Sequence, residues 1–584
     1  MSENNKHIIV RCFDCGMEIT IERGTLEFYC PVCQRTHDSK LLDKYEVSDA
    51  AGALLFRADR KLYSGDYDEA RELYQKACAA DENEPHAYLG AALARFEVEF
   101  DDDGEPCDVI KKGIGPISDN DDFKRATLLA QGFREDYYDE LGARVDGIIS
   151  GFEPKEDYHF EYIGTRLHSY TGRDEYLKIP SGVTRIDSLA FCIAKNLKRI
   201  YIPETVTYLE INAFGMEPYD IEIAESNPRY AVIGGCIIDK SENKLIYSGR
   251  ATSIPTDERV SVIGKFAFIR RHDVIRLDVP ENIKKLEEGA FDCCSEMTEI
   301  AIPASVTEVE QSAFSNCDKL TNIVVDSANQ EYYVSGGCLI ESKSGTLIRA
   351  VVGCDIPNEV KVLGRSAFGD GHTSLTFPAS VTDGMSGAFL GGFELCSLSV
   401  HEDNPKYYSA GNCIIERGTG RLVRGCENSV IPDDGSVTAI GERAFFCCRG
   451  MKRFVVPNGV TRLEKFAFEY CRQMREIVLP DTLTEIGEYA FMFCTELEKI
   501  TLPPRLQSIG ANLFDFCKKL EHVTIPASVK YIGGLSDSCD SLECVEFEDP
   551  TGWMADDIAV AADSLVGGNA LELVNYCSLK KRSA

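Results

Sequence analysis

Apolar and polar residues alternate in the stretch LEKITLP, where Leu497, Ile500 and Leu502 set an inward face and Lys499 and Thr501 an outward one. That is the period-two signature of a half-buried strand. Pro503 lacks the N–H that a continuing ladder needs, so the strand ends there. A second short extended piece is predicted at Leu506 and Ile509, followed by a turn that carries Phe514 inward. Aligned on that Phe, the same pattern recurs at Phe191, Phe214, Phe268, Phe291, Phe314, Phe368, Phe389, Phe445, Phe468 and Phe491. One constant interval, twenty-three positions, separates Phe191 from Phe214, Phe268 from Phe291 and Phe314 in turn, and each member of the series Phe445, Phe468, Phe491 and Phe514 from the next. A proline stands at one fixed distance, eleven positions, before the Phe at Pro180, Pro203, Pro280, Pro303, Pro357, Pro378, Pro457, Pro480 and Pro503.

A unit this short cannot bury its own apolar face, so it is stable only when stacked on its neighbours. Each buried Phe then contributes about 1.5–3 kcal/mol. The expected fold is a β-solenoid, and about twelve coils spaced about 4.8 Å apart would make a curved rod with a parallel sheet roughly 55–60 Å long. Six cysteines, Cys294, Cys317, Cys448, Cys471, Cys494 and Cys517, each follow a repeat Phe by three positions. At that periodic inward position they are expected to pack as small apolar groups with weak donors, not to bind metal or react. The segments "IPASVTEVEQSAFSNCDKLTNI" and "LPDTLTEIGEYAFMFCTELEKI" resemble leucine-rich repeats of the bacterial surface-antigen (BspA-like) type, over about residues 175–548. The resemblance marks a fold and implies no chemistry.

Three longer intervals hold an inserted module of its own, with Asn227, Cys236 and Leu245, Asn329, Cys338 and Leu347, and Asn404, Cys413 and Leu422 at matched nine-residue steps. Each reads as a β-hairpin decorating one edge of the rod. The last coil is degenerate: Asp537 stands one full period after Phe514. Trp553 and the apolar residues of 569–576 read as a cap over the open end.

Ahead of the repeats, the pairs Cys12-x-x-Cys15 and Cys30-x-x-Cys33 are separated by fourteen residues, with strand-like MEITIE and TLEFY between them. Two such knuckles bring four thiolates to one tetrahedral ion, as in a zinc ribbon, and leave no position for a substrate. The expectation is a structural Zn²⁺ on Cys12, Cys15, Cys30 and Cys33, with iron the competing ion for a site of four thiolates. From about residue 48 the period turns helical. Ala58, Gly65, Tyr67, Ala70, Tyr74 and Ala77, with Ala92 thirty-four positions after Ala58, resemble a tetratricopeptide repeat, although Glu82 stands where Pro is usual. Its second unit breaks at FDDDGEPC, and further helices are expected at roughly 120–133 and 134–150.

The expected organisation is a multidomain chain: a zinc ribbon (1–40), a short tetratricopeptide-like helical segment (45–155), an elongated leucine-rich-repeat solenoid (160–548) with insertions near 222–250, 324–352 and 399–427, and a C-terminal cap and tail (549–584). The 62 basic and 95 acidic residues give a net charge of −33, which disfavours nucleic acid and anionic membranes as partners. No export signal opens the sequence and no apolar stretch approaches the roughly 20 residues of a membrane helix, so a reducing cytoplasmic setting is expected for the 24 cysteines. No phosphate loop, dinucleotide fingerprint, zinc-protease motif or serine elbow occurs, and the nine histidines stand singly, away from metal-ligand spacing.

Together these features predict a non-catalytic scaffold that binds other proteins through the solenoid and through the front end. The outward strand positions Tyr201, Asp278, Ala301, Val324, Thr376, Ser399, Val455, Val478, Thr501 and Thr524 would line the solenoid's face. Tyr201, Val455, Val478, Thr501 and Thr524 are the candidate contact residues. A surface or secreted adhesin is the alternative, set against the absent export signal; a nucleic-acid reader through the zinc ribbon is a third reading, set against the charge.

Overall fold

The periodic spacing becomes a coil because each repeat supplies one rung to each of two parallel ladders. In the computed structural model, the strands Arg453–Val455, Glu476–Val478 and Lys499–Ile500 pair in parallel, with Arg453 opposite Glu476 and Glu476 opposite Lys499. The second ladder runs Ala439–Ile440, Arg462–Leu463, Glu485–Ile486, Ser508–Ile509 and Tyr531–Ile532. The structure describes residues 7–11, 18–22, 27–29, 36–38 and 49–581, apart from 101–105, 110, 112–114, 131–132, 151–158, 216, 390–393, 537–538, 540, 556–557, 566–569, 571–573 and 575–577. Two compact units divide the chain, Met1–Ala231 and Val232–Ala584.

In the second unit the turn that carries the repeat Phe is built from strained backbone. Residues two before and two after the Phe hold left-handed conformations: Phe466 and Tyr470, Tyr489 and Phe493, Asn512 and Phe516, all with φ between 52° and 61°. Such values are costly for residues that carry a Cβ. The strain persists because the next coil over-determines it. The N–H groups of Tyr489, Phe491 and Phe493 donate to the carbonyls of Ala511, Leu513 and Asp515 one coil on, and those of Phe466, Phe468 and Tyr470 do the same to Glu488, Ala490 and Met492. The rings stack through the interior: Phe445, Phe468, Phe491 and Phe514 lie 5.0, 5.8 and 6.0 Å apart in succession, all fully buried. Leu497, Ile500 and Leu502 point inward, and Lys499 and Thr501 outward, as the alternation predicts.

The inserted modules contain the expected hairpins, Cys338–Glu341 with Thr346–Ala350 and Cys413–Glu416 with Arg421–Arg424, but each carries one further strand and does not decorate an edge. The second is a three-stranded antiparallel meander, Tyr332–Ser335, Cys338–Glu341 and Thr346–Ala350, whose last strand pairs in parallel with Val362–Leu363 of the next coil. The third repeats the arrangement, with Tyr407–Ala410, Cys413–Glu416 and Arg421–Arg424 leading onto Ala439–Ile440. Each of these modules therefore starts a ladder and is not an ornament on one. The recurring Asn has a cause: Asn329 donates to the carbonyls of Pro303 and Val306 and accepts from the N–H groups of Glu331 and Tyr332, tying the module to the coil before it. Asn404 makes the matching four bonds.

At the far end the period shortens by one position. His522 pairs with Cys544, and the N–H of Phe514 donates to Leu535, so Ser536 takes the place of the repeat Phe and Asp537 does not. Asp537 itself lies outside the described residues. The parallel ladder then stops because Leu579–Lys581 pairs with Tyr531–Ile532 antiparallel, beside Trp553–Ala555. Trp553, Leu565, Ala570, Val574 and Leu579 are buried there.

In the first unit, helices α1 (Asp49–Tyr63), α2 (Tyr67–Ala80) and α3 (Pro85–Phe96) pack through small residues. Ala58, Ala70, Ala77 and Ala92 are fully buried, and the Tyr74 hydroxyl donates to Asp59 at 2.6 Å. Gly90 must lack a side chain, since a Cβ there would sit 2.2 Å from the Tyr74 ring. A strand pair, Val98–Phe100 with Pro106–Val109, follows instead of a fourth repeat helix, and α4 (Asp121–Leu129) and α5 (Phe133–Ser150) complete the segment. The unit's own coils pair Tyr176–Lys178, Arg199–Ile202 and Asp220–Ile223 in parallel. Near the start of the chain, His7–Arg11 pairs antiparallel with Glu18–Glu22, and Glu27–Tyr29 with Thr36–Asp38.

Candidate functional site

The periodic thiols are structural. Cys294, Cys317, Cys471, Cys494 and Cys517 are buried, and each Sγ–H donates to the carbonyl of the repeat Phe one coil earlier, at 3.0, 3.2, 3.2, 3.3 and 3.2 Å. Burial pushes the Cys294 and Cys448 thiols up to about 12 and raises Cys317, Cys471, Cys494 and Cys517 as well. A thiol held protonated is a donor and a poor nucleophile.

The exposed face of the first ladder is the candidate binding surface. Val455 and Val478 stand opposite each other in register and are 48% and 37% exposed. Thr501 is exposed and Thr524 half-buried along the same outward positions. Beside this stripe runs a row of charged outward residues, Arg453, Glu476 and Lys499, with the Arg453 guanidinium on the Glu476 carboxylate at 2.9 Å. Alternating residues on each strand are buried, Phe454, Ile477 and Ile500 among them, so the backbone of this face is fixed from beneath. Tyr201 belongs to the first unit; it is half-buried, with the Lys178 ammonium 5.1 Å from its ring centre. The four expected zinc ligands, Cys12, Cys15, Cys30 and Cys33, lie outside the described residues.

One group escaped linear reading. On the last two strands of this face, His522, Cys544 and Glu546 each bring a ligand atom within 4.8 Å of the others. Histidines that stand singly in the sequence give no warning of this, because the partner lies a whole coil further along the chain and is brought near by strand register. The available signal is Cys544 itself, which stands off the inward thiol position.

Six copies of the BspA type leucine rich repeat region match residues 157–227, 241–342 and 425–549, just over half of the chain. The chain belongs to this family. For a BspA-type repeat protein the coil anatomy above is the family's own element, and the modules lie largely between or at the ends of the matched stretches. No curated protein matches the chain. Among solved structures, a leucine rich cell surface protein of Faecalibacterium prausnitzii is 22% identical, with 66% of this chain and 90% of that one covered and a TM-score of 0.33. The pneumococcal vaccine antigen PcpA is 17% identical, with 68% and 85% covered and a TM-score of 0.34. A leucine-rich repeat protein of Eubacterium ventriosum is 19% identical, with 59% and 89% covered and a TM-score of 0.31. Among the described residues no helix is long and apolar enough to cross a membrane.

Proposed function

We propose that this BspA-type chain is a non-catalytic scaffold that binds one protein on the outward face of its first ladder and another through its front end. The observation that carries the reading is the division of labour within each strand. Inward residues repeat because they form the core, while Val455 and Val478, paired in register, and Thr501 and Thr524, at the matched outward positions of the next coils, are free to vary with a partner. The front end would be held by a structural zinc on Cys12, Cys15, Cys30 and Cys33. Its support is that each C-x-x-C pair falls within the connection of an antiparallel strand pair. The helices that follow, with small residues buried at Ala58, Ala70 and Ala77, support a tetratricopeptide-like role in binding.

A reducing, cytoplasmic setting completes the proposal. Five coil thiols act as hydrogen-bond donors, and oxidation would remove those donors from the core. The test is affinity capture with the full chain, with a variant carrying Val455→Asp and Val478→Asp, and with residues 1–160 deleted. The two changes should each remove a different partner. Loss of the same partners from both would refute the division.

A further inference from the structure

Cys544 occupies an outward strand position, in contrast to the buried thiols of the coils. The strands His522–Ile525 and Cys544–Phe547 run parallel, with His522 opposite Cys544 and Thr524 opposite Glu546. Val523 and Val545, between these residues, are buried, which pins the imidazole, the thiol and the Glu546 carboxylate on the solvent side. One ligand atom from each lies within 4.8 Å of the other two, and the His522 Nε2 is 3.5 Å from the Glu546 carboxylate. Bonds of about 2.0–2.3 Å place tetrahedral donor atoms roughly 3.3–3.8 Å apart. The remaining contraction is within reach of rotation about the side-chain bonds of these solvent-facing residues, and the strands need not move.

We propose that His522, Cys544 and Glu546 bind one divalent transition-metal ion of the zinc type. The donor set is the reason: imidazole nitrogen, thiolate and carboxylate are the three ligand classes that Zn²⁺ accepts, whereas calcium and magnesium sites are built from oxygen alone. Three protein ligands leave a fourth position for water or for a donor from a docked molecule. Among the described residues this is the sole such group. The matching places on earlier coils hold Arg453 and Val455, Glu476 and Val478, and Lys499 and Thr501, which provide no comparable set. An exposed His–Glu pair with no ion would contribute little to stability.

The test uses the full chain under reducing conditions with Co²⁺ as the probe. In a variant with Cys12, Cys15, Cys30 and Cys33 all changed to Ser, Co²⁺ should produce a thiolate-to-metal absorption band. That band should vanish in Cys544→Ser, and His522→Ala or Glu546→Gln should weaken binding by at least about tenfold, since even outer-shell changes cost that much. Because the front-end substitutions could disturb folding there, the wild-type chain supplies a second readout: Cys544→Ser alone should lower bound metal by one equivalent, leaving any front-end ion in place. Absence of a Cys544-dependent band, or a band whose affinity is unchanged by His522→Ala and Glu546→Gln, would overturn the site. Either result leaves the front-end zinc to be judged separately from the Cys12, Cys15, Cys30 and Cys33 substitutions.

Discussion

Replacing Cys494 tests whether a coil thiol both fills space and donates. Its side chain is fully buried and its Sγ lies 3.3 Å from the Phe468 carbonyl. That carbonyl already accepts the Cys471 N–H of its own coil at 3.3 Å, so losing the thiol leaves it with one bond and not orphaned. In Cys494→Ala the lost sulfur is worth about 1 kcal/mol of transfer, close to one methylene. A void of roughly 25 Å³ adds about 0.6 kcal/mol. The weak hydrogen bond adds about 0.5 kcal/mol. The expected loss is therefore about 2 kcal/mol. Cys494→Ser keeps a donor near the same carbonyl and most of the volume but buries a hydroxyl, for an expected loss of about 1 kcal/mol.

The assay is urea unfolding of the full chain, followed by circular dichroism and by the fluorescence of Trp553. That residue is the one tryptophan of the sequence and is buried beside the strand Leu579–Lys581 that closes the second ladder. The slope of the transition should be unchanged, because neither substitution alters the area exposed on unfolding by much. An Ala variant within about 0.5 kcal/mol of wild type would refute the packing role. A Ser variant less stable than Ala by more than about 1 kcal/mol would refute the hydrogen bond as a contributor.

Phe491→Ala should cost about 3–5 kcal/mol, since the ring is fully buried between Phe468 and Phe514, while Phe493→Ala, half-buried on the outer row, should cost clearly less; the same unfolding measurement decides, and the reverse order would contradict the assignment of inner and outer rings. Burial lifts the Asp146 carboxyl from 3.8 to about 6 while it accepts the Ile117 N–H. A carboxyl raised in the fold favours folding while protonated, so its contribution is best below about pH 4, declines as pH rises toward 6 and is a fixed penalty above that. Asp146→Asn keeps the acceptor and should stabilise the first unit by about 2 kcal/mol at pH 7 and flatten its stability between pH 4 and 6; an unchanged pH profile would contradict this.

The solenoid was legible because its core is written periodically. Phe468, Phe491 and Phe514 recur once per coil for the same reason that their rings stack, and Cys471, Cys494 and Cys517 recur with them because each thiol reaches the preceding Phe carbonyl. The modules were legible as repeats but not as architecture. The first strand of each, such as Tyr332–Ser335, carries a mixed pattern, and its pairing partner is chosen by Asn329 and by the following turn, not by hydrophobic alternation. The last coil reads one position off in the sequence because a single deletion moves the place of the repeat Phe from Asp537, where the period puts it, to Ser536.

The outward face obeys a different logic. Core positions are constrained by the coil above and below, so sequence self-similarity reveals them; the matched outward positions Arg453, Glu476, Lys499 and His522 are not packed in that way and hold four different residues. Chemistry on such a face depends on which residues the register places side by side. His522 and Cys544 become neighbours because the strand of the last coil, although that coil is one position shorter than the others, still pairs in parallel with the one before. Restoring the missing residue between Tyr531 and Cys544 with a single glycine insertion offers the chain two ways to close. If the ladder His522–Cys544 is retained, the inserted residue restores the twenty-three-position coil and Co²⁺ binding survives; if the strand slips by one, Cys544 and Glu546 turn inward and binding is lost together with the stability of the cap. Retained cap stability with lost binding would contradict the dependence on register, because the two are set by the same strand.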